Sequence, residues 1–216
     1  MGNAAARSRL SPEEYLVFER ASEQRHEYAD GEIFAMAGGT REHSLTATNL
    51  VGELRAALRG RRGEVHGSDM RIKIPSTGRY VYSDGVIVCG QPRFEDETRD
   101  TLLNPLLIVE VLSDSSEAYD RGDKFAQYQS IPSIKDYVLA SQKAARIEHF
   151  RRLPDGTWLL RILGPGERLV LESTGCEIAV DDAYLQVFDP PSDEPDEAGL
   201  ARDQRGLNSG LSGWRS

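Results

Sequence analysis

The stretch Leu106-Leu107-Ile108-Val109-Glu110-Val111-Leu112 constrains this chain more than any other. A nearly continuous apolar run of this length is the pattern of a strand buried on both faces, since apolar and polar residues alternate only where one face meets water. One acid interrupts it. An ionised carboxylate in such surroundings carries a large desolvation penalty, so Glu110 needs a metal or a buried basic partner. Asp84 poses the same problem in Tyr80-Val81-Tyr82-Ser83-Asp84-Gly85-Val86-Ile87-Val88-Cys89.

The remaining segments supply the partners of these strands. Ser11-Pro12-Glu13-Glu14 has the form of a capping box with proline at the first helical position, and predicts a helix from Pro12 to about Gln24. His26 to Phe34 centres on Asp30-Gly31, a two-residue hairpin signal that puts Glu27 on the first strand. After Gly38-Gly39, Thr40 can cap a second helix in which Ala47, Leu50, Val51, Leu54 and Leu58 recur at helical spacing before Gly60. Strands are expected over Glu64–Pro75, Tyr80–Cys89 and Leu106–Leu112, at the centre of the sheet. A polar loop covers Gln91–Asn104, and a helix over Glu117–Ile131 ends at Pro132 before a strand at Tyr137–Ala140. Arg146–Arg152, Thr157–Leu163 and Arg168–Leu171 read as a β-meander closing the domain, split by Pro-Asp-Gly and Gly-Pro-Gly turns. Residues 189–216 lack an apolar period and are expected to be a disordered tail, and residues 1–10 a flexible N-terminus, which leaves one domain over 11–188.

Composition narrows the class. Hydrophobic residues make up 39% and charged residues 28%, the balance of a soluble globular protein. No apolar stretch approaches the roughly 20 residues of a membrane span, and no apolar segment follows the N-terminal arginines as a secretory signal requires, so the expected location is the cytoplasm. Cys89 and Cys176 stand far apart and in no zinc-binding spacing, and are expected to be reduced. The net charge of −9 argues against nonspecific coating of nucleic acid, which depends on many Lys and Arg contacts to phosphate. Residues 181–216 hold eight acids and three arginines, which leaves −4 for the first 180 residues and weakens that objection.

Two carboxylates on neighbouring strands can hold Mg²⁺, a hard cation that takes few protein oxygens and keeps waters. Lys124, on the helix after the Glu110 strand, can stabilise charge on an attacking water or a pentacoordinate phosphate. The residues alone also allow a simpler arrangement. Asp84 can cap a turn at Gly85, Glu110 can pair with a buried Lys or Arg, and Lys124 can be a solvated residue or pair with Asp120 or Asp123. Glu27 can be a polar hairpin position, and His43 can approach the site or merely fill a first helical turn.

The stretches His26-Glu27-Tyr28-Ala29-Asp30-Gly31-Glu32-Ile33, the helix with His43 and Asn49-Leu50, the strand with Asp84, Ile108-Val109-Glu110-Val111-Leu112-Ser113 and Asp120-Arg121-Gly122-Asp123-Lys124-Phe125-Ala126-Gln127-Tyr128 together resemble the Uma-type restriction endonuclease family, a branch of the PD-(D/E)XK nuclease superfamily. The resemblance covers residues 11–187. It implies a restriction-endonuclease-like mixed α/β sheet with helices on both faces, Asp84 and Glu110 as metal ligands, Glu27 as a further acidic site residue, and a catalytic lysine moved from the Glu110 strand to Lys124. Leu112 stands at the lysine position of the wider superfamily, as is normal for this branch, whereas Ser83 stands where the family usually has proline.

The expected activity is therefore a Mg²⁺-dependent DNA endonuclease, with Mn²⁺ as a possible substitute. DNA is the expected partner, a homodimer is expected to fit a duplex cut on both strands, and Arg71, Lys73, Arg121, Lys124 and Lys135 are candidate phosphate contacts if they share a face. Two alternatives stand beside it: a degenerate nuclease fold that binds DNA or a protein without cutting, and an interaction scaffold in which Asp84 and Glu110 are paired internally.

Overall fold

The computed structural model describes residues 9–188, so the expected tail and most of the expected N-terminal segment lie outside the described residues. The first helix, α1 (Pro12–Ala21), carries the predicted capping box: Glu14 N–H donates to Ser11 Oγ at 3.2 Å and Ser11 N–H donates to Glu14 Oε2 at 2.7 Å. It ends at Ala21, earlier than Gln24, because Ser22 turns extended. Strands β1 (His26–Ala29) and β2 (Glu32–Ala35) form the predicted hairpin. Its turn residues take positive φ, 53° at Asp30 and 87° at Gly31, the left-handed pair that matches the twist of the flanking strands. Thr40 caps α2 (Arg41–Ala57) by accepting the His43 N–H.

The two β runs of the middle of the chain both divide. Glu64–Pro75 becomes β3 (Glu64–Gly67) and β4 (Arg71–Ile74), and Tyr80–Cys89 becomes β5 (Arg79–Tyr82) and β6 (Gly85–Val88). With β7 (Thr101–Leu102), β4 and β5 join the hairpin in a five-stranded sheet of order β2-β1-β5-β4-β7. Strands β3 and β6 instead join β8 (Leu107–Leu112), β9 (Asp136–Ser141), β10 (Ile147–Arg152) and β11 (Trp158–Leu163) in a six-stranded sheet of order β11-β10-β9-β8-β6-β3. Ser83 and Asp84 thus form the link on which the chain leaves one sheet for the other.

Strand β8 lies inside the six-stranded sheet, antiparallel to β6 and parallel to β9, and is buried at every position. Its side chains alternate between two cores. Leu107, Val109 and Val111 pack with Leu50, Leu54 and Leu58 of the α2 segment. Ile108 and Leu112 pack with Tyr128, Ile131, Ile72 and Val81 on the other face. The crossover between β8 and β9 is not the uninterrupted helix expected over Glu117–Ile131. It comprises α3 (Glu117–Tyr119), a π-helical turn over Asp120–Lys124, and α4 (Phe125–Gln129).

The meander is realised in part. Strands β10 and β11 continue the six-stranded sheet, but β12 (Arg168–Leu171) leaves it and pairs with β13 (Cys176–Ala179), a strand the sequence reading did not anticipate. This hairpin and α5 (Val180–Ala183) close the core beneath α2, with Leu169, Leu171, Ile178 and Val180 buried there. Both cysteines are free thiols.

Leu50 is fully buried and joins α2 to the six-stranded sheet. Leu50→Ala is expected to lower stability by about 2–5 kcal/mol in urea or guanidinium unfolding, through lost burial and the cavity it leaves. A loss below about 1 kcal/mol would show that α2 is not part of the cooperative core.

Candidate metal centre

Five elements bring the candidate residues together. Glu27 comes from β1, His43 from the first turn of α2, Asp84 from the link between sheets, Glu110 from β8, and Asp120 and Lys124 from the π-helical turn. All line one open cleft of about 1010 Å³. In β6 and β8 the pair Gly85 and Val109 face one another, so Asp84, just before β6, lies alongside Glu110 of β8. There its Oδ2 accepts the Val111 N–H at 2.7 Å.

Lys124 is the hub. Its Nζ lies 2.9 Å from Glu110 Oε1, 3.6 Å from Asp120 Oδ1 and 3.7 Å from Glu27 Oε1, and donates to the Tyr82 carbonyl at 3.1 Å. The π turn places Asp120 and Lys124 four residues apart with both side chains buried, and such single turns recur at functional sites. The Tyr82 peptide serves the cluster from both sides, because its N–H donates to Glu27 Oε1 at 3.3 Å. Tyr128 donates its hydroxyl to Glu110 Oε1 at 3.0 Å, a role that its apolar position in the helix pattern concealed. His43 Nε2 stands 3.4 Å from Asp84 Oδ2, so this histidine does reach the site.

Four acids thus face one lysine and one histidine. Burial and these charges act on the protons of Glu110, Asp84 and Lys124. Burial pushes the Glu110 carboxyl well above its ordinary range, and the Asp120 and Asp84 charges add to that against the pull of Lys124. Burial likewise raises Asp84, opposed by His43, the Val111 N–H and Lys124. For Lys124, burial alone favours the neutral amine, but Glu110, Glu27 and Asp120 outweigh it and hold the ammonium above its ordinary value.

The donor set fits Mg²⁺ in its usual sparse mode of binding. Glu110 uses Oε1 for Lys124 and Tyr128, and Asp84 uses Oδ2 for Val111 and His43. Oε2 of Glu110 and Oδ1 of Asp84 accept no hydrogen bond from the described residues. Among those residues no three His, Cys, Asp or Glu side chains form a ready-made metal cage. A cation that keeps most of its waters and takes one or two carboxylates needs none.

Other expectations change. Asp123 is exposed and outside the cluster, so of the two acids flanking Lys124 only Asp120 joins it. Arg71 is buried against Thr101, Tyr82 and Asp100, Lys73 pairs with Glu95, and Arg121 pairs with Glu117 and Glu148. Neither these three nor Lys135 lines the cleft, so none is a phosphate contact there. Ser83, in the place of the family's proline, is buried and donates to the Gly85 carbonyl at 3.2 Å, which braces the link by a hydrogen bond instead of a ring. No described helix is long and apolar enough to cross a membrane.

The mixed sheet with an acid-lined cleft at the end of its central strand is a nuclease-like α/β fold. A solved structure from Anabaena variabilis, described as a putative nuclease belonging to DUF820, shares that fold with a TM-score of 0.67, covering 81% of this chain and 97% of its own at 13% identity. The chain belongs to the Uma2 family, described as putative restriction endonucleases, which it matches over residues 12–181. Two uncharacterized proteins of Synechocystis sp. are similar. One, slr1290, is 40% identical over 82% of this chain and 92% of its own length, and the other, sll1609, is 35% identical over 76% and 92%.

The folded-state carboxyl of Asp84 takes up a proton more readily than it does in the unfolded chain, so wild-type stability falls as pH rises through the raised folded-state value. Asp84→Asn keeps an acceptor for the Val111 N–H but carries no charge. Metal-free Asp84→Asn is therefore expected to melt above wild type at neutral pH. The difference should shrink as pH falls towards the ordinary carboxylate range of about 4. Equal melting temperatures from acid to neutral pH would show that Asp84 is not under electrostatic strain.

Proposed function

We propose that this chain is a Mg²⁺-dependent DNA endonuclease, with Mn²⁺ able to replace Mg²⁺. The observation that carries the reading is the convergence of Asp84 and Glu110, each with one oxygen free, beside a buried ammonium at the floor of an open cleft. The family description points the same way. Asp84 and Glu110 would hold the ion, which when bound supplies Lewis acidity towards a phosphodiester and a water more easily deprotonated than bulk water.

The chain's own residues do the rest. The Lys124 ammonium, pre-oriented by Asp120, Glu27 and the Tyr82 carbonyl, offers positive charge and a proton at Nζ where phosphate charge grows. Tyr128 fixes the orientation of Glu110, and His43 that of Asp84. Glu27 sets the position of the Lys124 amine and of the Tyr82 peptide. A duplex cut on both strands asks for two such sites, which a twofold dimer would supply.

One observation favours a second reading, a DNA-binding module that does not cut. Every Lys124 contact described above is internal, so its charge is already engaged. Both readings meet in one experiment: plasmid and short duplex DNA with Mg²⁺ or Mn²⁺, an EDTA control, and the Asp84→Asn, Glu110→Gln and Lys124→Met variants checked for folding. The nuclease reading expects metal-dependent cutting that each variant lowers by at least about 10²-fold, the scale of losing one preorganised electrostatic group. A folded wild-type protein that binds DNA but neither metal nor cleaves would establish the second reading.

A further inference from the structure

A second surface on the molecule continues from the carboxylate cleft. Along α2 the exposed residues Ser44, Thr48, Gly52 and Arg55, followed by Arg59 just past the helix end, succeed one another at steps of three or four and so form one stripe. Ser44, Thr48 and Gly52 line the cleft, and Gly52, Arg55 and Arg59 line a second hollow of about 680 Å³ that also includes Arg61 and His66. The neighbouring strand makes the same passage, because His66 of β3 borders the second hollow and Gly67 borders the first. Two independent elements therefore carry one groove from the acids to the arginines.

The charge of this groove is unusual for the chain. Arg55, Arg59, Arg61 and Arg62 fall within eight residues of a protein whose net charge is −9. All four are exposed, and Arg55, Arg59 and Arg62 form no ion pair among the described residues. Arg61 donates to the Thr174 and Gly175 carbonyls and so belongs partly to the fold. The acids nearby are Glu53, half-buried on α2, and Glu64, whose carboxylate lies 3.1 Å from His66 Nε2. The middle of the stripe is small: a Cβ added at Gly52 would meet nothing within 4 Å.

We propose that this stripe is the track of the duplex flanking the cut, with Arg55 and Arg59 holding backbone phosphates away from the scissile bond. At 1.5 Å per residue the distance from Ser44 to Arg59 is about 22 Å, which spans roughly six phosphates of one strand at 3.4 Å each. The small residues between let the backbone lie close to the helix. The track also answers the objection raised by net charge, since the phosphates meet a local cationic strip instead of the acidic whole. The inference rests on the nuclease reading only in taking DNA as the polymer bound.

The test is binding of fluorescent duplex DNA by the full chain in Ca²⁺ across a range of salt, for wild type, an Arg55→Ala/Arg59→Ala variant and the matching double lysine variant, with cutting in Mg²⁺ followed in parallel. Loss of about two phosphate contacts should make the plot of log affinity against log salt shallower by about 1–2 and weaken binding several-fold, with the lysine variant close to wild type. Wild type should also gain affinity when the duplex lengthens from about 8 to about 20 base pairs, and the alanine variant should not. An unchanged salt slope in a folded alanine variant, or a wild type that binds no duplex, overturns the track. A protein that binds in this pattern but never cuts overturns the nuclease reading and leaves the track standing.

Discussion

Everything at the candidate centre depends on how one buried ammonium is held. Lys124 is buried among Glu110, Asp120 and Glu27, with Asp84 a step further out, and its charge is too small to balance theirs. Removing such a pair's cation commonly costs about 3–5 kcal/mol, because the carboxylates it leaves behind are desolvated. The fold nevertheless keeps more acid here than its own bases neutralise. That arrangement is poor for stability and well suited to recruiting a hard cation, the compromise expected where function rather than packing selects the residues.

The architecture serves this hub. Strand β8 is covered on both faces, and Glu110 is the acid on it that borders the cleft. The passage of the chain between sheets at Ser83-Asp84 puts a carboxylate beside Glu110 and Val111 of β8 and turns the Tyr82 carbonyl towards Lys124. The π turn brings Asp120 and Lys124 to the same side. From this floor α2 leads outwards, carrying His43 near its start and the arginines at its close.

Much of this was legible in the sequence where a single physical cost forced the answer. Glu110 stood out because an acid in a continuous apolar run must be compensated. Helix α1 and the first hairpin were readable because a capping box and an Asp-Gly turn act locally. What escaped notice depends on distant contacts. Tyr80–Cys89 has the composition of one strand, and only pairing with two different sheets divides it. Asp120-Arg121-Gly122-Asp123-Lys124 holds no local signal for a π turn. Tyr128 looked apolar because its ring is core while its hydroxyl serves Glu110. Arg71 and Lys73 looked available for phosphate because their acidic partners, Asp100 and Glu95, lie more than twenty residues away.

Calorimetric titration of the metal-free protein with Mn²⁺, in buffers of different ionisation enthalpy, decides whether the acids at Asp84 and Glu110 form a cation site. One saturable site is expected, lost in Asp84→Asn and Glu110→Gln, with proton release on binding that grows as the pH is lowered, because burial raises both carboxyls. Absence of saturable binding, or binding that is indifferent to both substitutions, would contradict it.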